Sequence, residues 1–166
     1  CPDLRRYPPI RRDATAANWQ RKAAIFAQCR VAVTAPSQWL LDQARQSMLQ
    51  ADEYRLIPNG IDLEAFRPGD RAADRARLGL PAEVPVVMVA AASRRNVYKD
   101  PETQAAGLRA LAAAWNGPAR PVVLCVGSAP DRSGLGGLAV HAVPYQSHPD
   151  ALAACYRAAD VFVHTA

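Results

Sequence analysis

The sequence predicts an α/β protein made of two Rossmann-like units, both incomplete, each a parallel sheet covered by helices. Three observations carry this. Strand-like and helix-like patterns alternate along the chain. The strand-like runs after residue 83 are apolar throughout rather than alternating, as in strands covered on both faces. A polar segment with Pro and Gly, RLIPNGIDLEAFRPGD at 55–70, breaks the alternation, which then restarts.

From about Asp13 to Gln28, Trp19, Lys22, Ala23 and Phe26 recur at helical spacing, and VAVT at 31–34 reads as a short buried strand. PSQWLLDQARQSML follows as a helix with Ser37 as N-cap and Leu40, Leu41, Ala44 and Met48 on one face. A strand from Tyr54 to Ile57 completes strand, helix, strand, the end of an α/β unit. In the polar segment, Asn59-Gly60 is expected to form a tight bend, with Pro58 and Pro68 limiting its freedom. The expected division is residues 1–62 and 63–166.

Beyond it, RAADRARLGL reads as a short charged helix ending near Gly79, and VPVVMVAAA at 84–92 as a covered parallel strand. The helix at 101–115 sets Leu108, Leu111, Ala112 and Trp115 in register. Strands are expected at 121–127 (PVVLCVG), 140–143 (VHAV) and, after the helix PDALAACYRAA, at 161–164 (VFVH).

Composition narrows the function classes. Of 166 residues, 50% are hydrophobic and 21% charged, which suits a globular chain with a core rather than a disordered one. The net charge of +5 comes mostly from arginines spread along the chain, a pattern compatible with an acidic small ligand or with nucleic acid. No run of about 18 apolar residues occurs, and CPDLRRYPPIRRD lacks a signal-peptide core, so an intracellular, cytoplasmic chain is expected. A start at Cys-Pro without Met reads as cut from something longer. Cys1, Cys29, Cys125 and Cys155 are too far apart for a Cys-x-x-Cys metal pair, so buried free thiols are expected, with Cys1 the exception, and no metal.

In open parallel sheets ligands bind beyond the carboxyl ends of the strands, here the loops near Ser93, Gly127, Pro144-Tyr145 and His164. SRRNVYKDPE is the richest of them. It sets Arg94, Arg95 and Lys99 between a covered strand and a helix whose start is marked by Asp100 and Pro101. Three cations beside a helix start suit a phosphate or diphosphate, against the alternative of a solvated basic loop. GLGGLA at 134–139 has the dinucleotide-fingerprint spacing but follows polar residues and leads into a strand, so it reads as a flexible loop. His141 lies within a strand, His148 precedes Pro149 at a helix start, and His164 falls at a strand's carboxyl end. No Ser/His/Asp set or acid pair can be assembled.

The order of these elements, with PSQWLLDQARQS, RLIPNGIDLEAFRP, RRNVYKD, PVVLCVG and YRAADVFVHTA, resembles the central stretch of a GT-B glycosyltransferase of family 4 over essentially the whole chain. IPNGID with Phe66 and Pro68 is the strongest match. In the family it marks the crossing from the acceptor domain to the nucleotide-sugar domain. Cys1, Pro2, Leu4, Tyr7, Pro8, Trp19 and Lys22 are similar to a pattern in members that assemble surface polysaccharides.

The resemblance implies retaining transfer of a sugar from a nucleoside-diphosphate sugar to a glycan or lipid-linked acceptor, with no essential metal or cofactor. A lipid-linked acceptor would add peripheral membrane association. It implies that Arg95 and Lys99 hold the diphosphate and stabilise the leaving group, with Arg94, Ser93, Gly127, Tyr145 and His164 as substrate-binding candidates. The family lysine is usually followed by Gly, where this chain has Asp100. The family's early Gly-rich loop and histidine are absent, and its glutamate pair would fall beyond Ala166, so the chain reads as an internal fragment. Two alternatives stay open: a non-catalytic nucleotide-sugar-binding fragment, and a basic nucleic-acid-binding domain. Nucleic acid is not the expected partner, because most aromatics fall at core-like positions.

Overall fold

In the computed structural model, residues 3–5, 9–91, 100–128 and 135–165 are described. The chain divides into two compact units, Cys1–Gly60 and Ile61–Ala166.

The first unit holds α1 (Thr15–Phe26), β1 (Ala32–Ala35), α2 (Gln38–Arg45) and β2 (Glu53–Leu56). β1 and β2 pair in parallel from Ala32 opposite Glu53 to Ala35 opposite Leu56, with α2 between them in sequence. Ser37 caps α2 as expected, its Oγ accepting the Leu40 N–H at 3.3 Å. The expected apolar face of α2 is only partly covered: Leu41 is buried beside Ala35, but Leu40 is exposed and Trp39 is 71% exposed. α1 buries no residue, and Trp19 and Ile25 lie open. Cys29 is a correction to the expectation of buried thiols. It is exposed, just past the end of α1, while Cys125 and Cys155 are buried.

The segment between β2 and the next helix also departs from expectation. Neither Asn59 nor Gly60 adopts a left-handed backbone, and residues 57–60 form no turn. The turn comes later and is organised by Asp62: its Oδ1 accepts the Glu64 and Ala65 N–H groups at 3.0 and 3.3 Å, and its carbonyl accepts the Phe66 N–H at 2.9 Å. A short Asp side chain satisfying the backbone donors ahead of it is the usual chemistry of such a turn.

The second unit carries α3 (Arg71–Leu78), β3 (Val86–Ala91), α4 (Pro101–Ala114), β4 (Val122–Gly127), β5 (Ala139–Val143), α5 (Pro149–Ala158) and β6 (Val161–Phe162). Its four strands are all parallel, in the order β5-β4-β3-β6. The period of two along the strands splits the core in two. Val86, Met88, Leu124 and Val126 face one side with Leu80, Cys155 and Ala158. Val87, Val89, Val123 and Cys125 face the other with Leu108 and Ala112 of α4. Both faces are covered, which is why the runs are apolar throughout.

α3 ends in a left-handed Gly79, a position any side chain would strain. The expectation of a flexible loop at GLGGLA holds only in that the segment leads into β5 and not into a helix. Leu135 and Leu138 are buried against α4, and Gly136 and Gly137 turn the chain with positive φ.

Candidate functional site

Strand order locates the site. From β3 the chain steps outward through β4 to β5, then returns by α5 to place β6 on the other side of β3. The two halves therefore diverge between β3 and β6, and the crevice beyond their carboxyl ends is where open parallel sheets of this kind receive ligands.

One wall of that crevice is the carboxyl end of β3, at Ala91. Ser93, Arg94, Arg95 and Lys99, the richest part of the expected site, lie outside the described residues. The chain is described again at Asp100, the N-cap of α4, where φ is 39° and ψ 66°. Among the described residues it is the only non-glycine with positive φ. Asp reaches this region more readily than most L-residues because its short polar side chain bonds locally, and here Oδ1 accepts the Thr103 N–H at 3.1 Å. The Thr103 hydroxyl and N–H together hold the Asp100 carboxyl below its ordinary pKa. Pro101 follows at the first helical position, where its fixed φ suits the helix and its missing N–H costs nothing.

The other wall is the segment beyond β6. The strand is shorter than the expected 161–164, but Val163 N–H still donates to Met88 O at 2.9 Å and so extends the ladder by one bond. From there the segment is tied to the first turn of α4. Gln104 Nε2 donates to Val163 O at 3.5 Å, and Thr165 Oγ1 donates to Asp100 O at 3.1 Å. His164, between them, is exposed, its ring 6.0 Å from that of Phe162.

The remaining expected residues share the edge but not the crevice. Gly127 closes β4 opposite Ala91, with φ of 92°. Tyr145, 68% exposed, follows β5 at the far end of the sheet. Three strand spacings, roughly 14 Å, separate β5 from β6, so Tyr145 and His164 do not meet across one small ligand. Sequence reasoning missed Thr165 and Gln104. Neither carries a local signal, because their partners stand 65 and 59 residues away.

A second feature adjoins this edge. Phe66, Tyr156, Phe162 and His164 form a run of ring contacts, with centroids 6.2, 5.2 and 6.0 Å apart and the first two edge-to-face. Phe66, Arg67 and Pro68 line a shallow groove with Ala153, Tyr156 and Arg157. Among the described residues no group of three or more His, Cys, Asp or Glu is placed to hold a metal ion. No helix among them is long and apolar enough to cross a membrane.

No protein-family model matches the chain. Among curated proteins it is 42% identical over 84 residues to D-inositol 3-phosphate glycosyltransferase of Saccharomonospora viridis, covering 51% of this chain and 19% of that one. It is 38% identical over 138 residues to the protein of the same name from Mycobacterium tuberculosis, covering 72% of this chain and 26% of that one. The chain thus spans about a fifth to a quarter of the length of these relatives. Among solved structures it is similar to sucrose-phosphate synthase from Thermosynechococcus elongatus, with a TM-score of 0.63 and 29% identity, covering 92% of this chain and 38% of that one. In sequence and in fold alike, this chain is similar to glycosyltransferases.

Proposed function

We propose that this chain is the central part of a family 4 glycosyltransferase that moves a sugar, with retention, from a nucleoside-diphosphate sugar to an acceptor. Residues up to about 62 would belong to the acceptor domain and those from about 63 to the nucleotide-sugar domain. The observation that carries the reading is the coincidence of a topological switch point between β3 and β6 with a likeness to a glycosyltransferase structure over 92% of the chain. In this reading Arg95 and Lys99, just before the α4 N-terminus, supply fixed positive charge to the diphosphate as it leaves, and Arg94 is their neighbour. Ser93, Gly127, Tyr145 and His164 line the substrate side. The acceptor is a glycan or lipid-linked glycan, met in the cytoplasm or at the inner face of a membrane. No metal or other cofactor takes part.

The names of both relatives carry a phosphorylated sugar or polyol, so phosphorylated acceptors belong in the test. The full-length protein is incubated with labelled UDP- and GDP-sugars and a panel of glycan, lipid-linked and sugar-phosphate acceptors. Transfer is expected with at least one pair, and Lys99→Ala is expected to lower kcat about a hundredfold, the scale set by one transition-state charge partner. No transfer and no nucleoside-diphosphate binding would refute the reading. Binding without transfer would favour a non-catalytic nucleotide-sugar binder.

A further inference from the structure

We infer that α1 is a membrane-docking helix: its exposed ridge of Trp19, Lys22 and Ile25, with the cations around it, fits the headgroup layer of an anionic lipid bilayer. α1 belongs to the first unit, so this surface is not part of the donor site proposed above.

Arginines recur along the whole chain, but the acids that balance them do not. Residues 1–30 hold seven Lys and Arg against two Asp, an excess of five, while residues 31–166 hold thirteen basic and thirteen acidic residues. The whole net charge of +5 therefore falls in the first 30 residues. α1 itself, TAANWQRKAAIF, contains no Asp or Glu, and Arg11 and Arg12 lie exposed just ahead of it. On the helix, Ala23 and Phe26 are half-buried and mark the inner face. Trp19, Lys22 and Ile25, each three residues on from the last, form an exposed ridge beside it, with Trp19 57% and Ile25 51% exposed. A 12-residue helix that buries no residue is marginal in water by its own hydrogen bonds, so the ridge calls for a cover. The order of residues along the ridge selects which. Protein closing over Trp19 and Ile25 would enclose the Lys22 ammonium between two apolar contacts, with no acid on the helix to pair it, at a desolvation cost. A bilayer surface avoids that cost. The Trp19 ring and the Ile25 side chain enter the headgroup boundary, while the Lys22 stem lies along them and its ammonium stays among lipid phosphates. Trp has its usual place at that depth, apolar body inward and N–H outward. Nucleic acid would use the cations but leave Ile25 uncovered. Apolar insertion and cationic attraction are together the two contributions that make reversible surface binding strong enough to matter.

The test uses the full-length protein and vesicles of either phosphatidylcholine alone or phosphatidylcholine with about a third phosphatidylglycerol, the anionic surface that clustered cations read. Bound protein is measured by flotation at low and high salt, with the melting temperature and the UDP and GDP affinities of each variant. Wild type is expected on the anionic vesicles and not on the neutral ones, with binding weakened at high salt by screening. Lys22→Gln is expected to weaken it about fivefold, the scale of one cation at an anionic surface, and Lys22→Arg to keep it. Trp19→Ala is expected to weaken it about tenfold through lost insertion. Melting temperatures and nucleotide affinities should stay those of the wild type in all three. No binding to anionic vesicles, equal binding to neutral ones, or binding indifferent to both Lys22→Gln and Trp19→Ala overturns the inference. A loss that simply follows the melting temperature does so too. Salt-sensitive capture of an oligonucleotide without vesicle binding assigns the cations to nucleic acid and likewise overturns it. Vesicle binding without nucleotide binding leaves the docking helix standing and fails only the donor-site reading, and nucleotide binding without vesicle binding does the reverse.

Discussion

The two edges of the four-stranded sheet are built differently. At the amino-terminal edge the ends are locked by buried charge. Arg75 of α3, only 3% exposed, donates to Ala158 O at 2.9 Å, to Ala82 O at 2.5 Å and to Asp160 Oδ2 at 2.8 Å. Asp160 also accepts the Val86 N–H at 2.7 Å and pairs with Arg71. Nearby, Asp74 receives Arg77 and Arg157 at 2.7 and 2.6 Å. Four guanidinium groups and two carboxylates therefore bind α3, α5, β3 and the start of β6 together. At the carboxyl-terminal edge, the described residues joining β6 to α4 rely on two neutral hydrogen bonds and a left-handed Asp100. The contrast separates two tasks: cohesion is concentrated where no ligand is expected, leaving the opposite edge to be shaped by weaker contacts that chemistry can use.

That division can be broken by mutation. The largest effect is expected from Arg75→Ala, which strands two carbonyls and leaves Asp160 short of its buried partner. A loss of about 3 kcal/mol is expected, against under about 1 kcal/mol for Arg71→Ala, whose side chain is half exposed. Guanidinium midpoints at constant m measure both, and equal effects would show that burial at this edge is not what matters. A smaller loss, about 2 kcal/mol, is expected from Gly136→Ala near the start of β5. There φ is +64° and a new Cβ would stand 2.8 Å from the Ala112 Cβ. A melting temperature within 1 °C of wild type would contradict the closeness of that packing.

The smallest effect belongs to the open edge. Because Thr103 holds the Asp100 carboxyl below its ordinary pKa, its contribution is present above the unfolded value near 3.9 and lost as pH falls through the folded one. Wild type should therefore lose slightly more stability than Asp100→Asn between about pH 5 and pH 2. Identical acid limbs would mean that the cap charge is immaterial.

The fold was legible where its cause is local. Ser37, Asp100-Pro101 and Gly79 announce helix ends in the sequence, and the apolar runs at Val86 and Val122 announce covered strands. What could not be read depends on distant partners. RAADRAR looks like a solvated charged helix, and nothing within it says that Asp74 and Arg75 point inward; their partners, Arg157 and Asp160, stand more than 80 residues away. Asn59-Gly60 has strong turn chemistry, yet Asp62, with several donors within reach, took the turn instead. Of the candidate site, the edge of the sheet was legible from the βα alternation, and so was the capping role of Asp100. Thr165 and Gln104 were not, since their roles exist only once β6 has been placed beside β3.

The placement of β6 has a further consequence during synthesis. β3 ends at Ala91 and gains β4 soon afterwards, but its other edge stays bare until Val161 is made. At roughly 5–20 residues per second the nascent chain shows one bare edge of a wholly apolar central strand for on the order of 5 s, and bare strand edges are where chains associate wrongly. Asp160, which seats the start of β6 by accepting from Val86 and Arg75, arrives one residue ahead of the strand. It closes that interval with a charge that only the correct partner edge can receive.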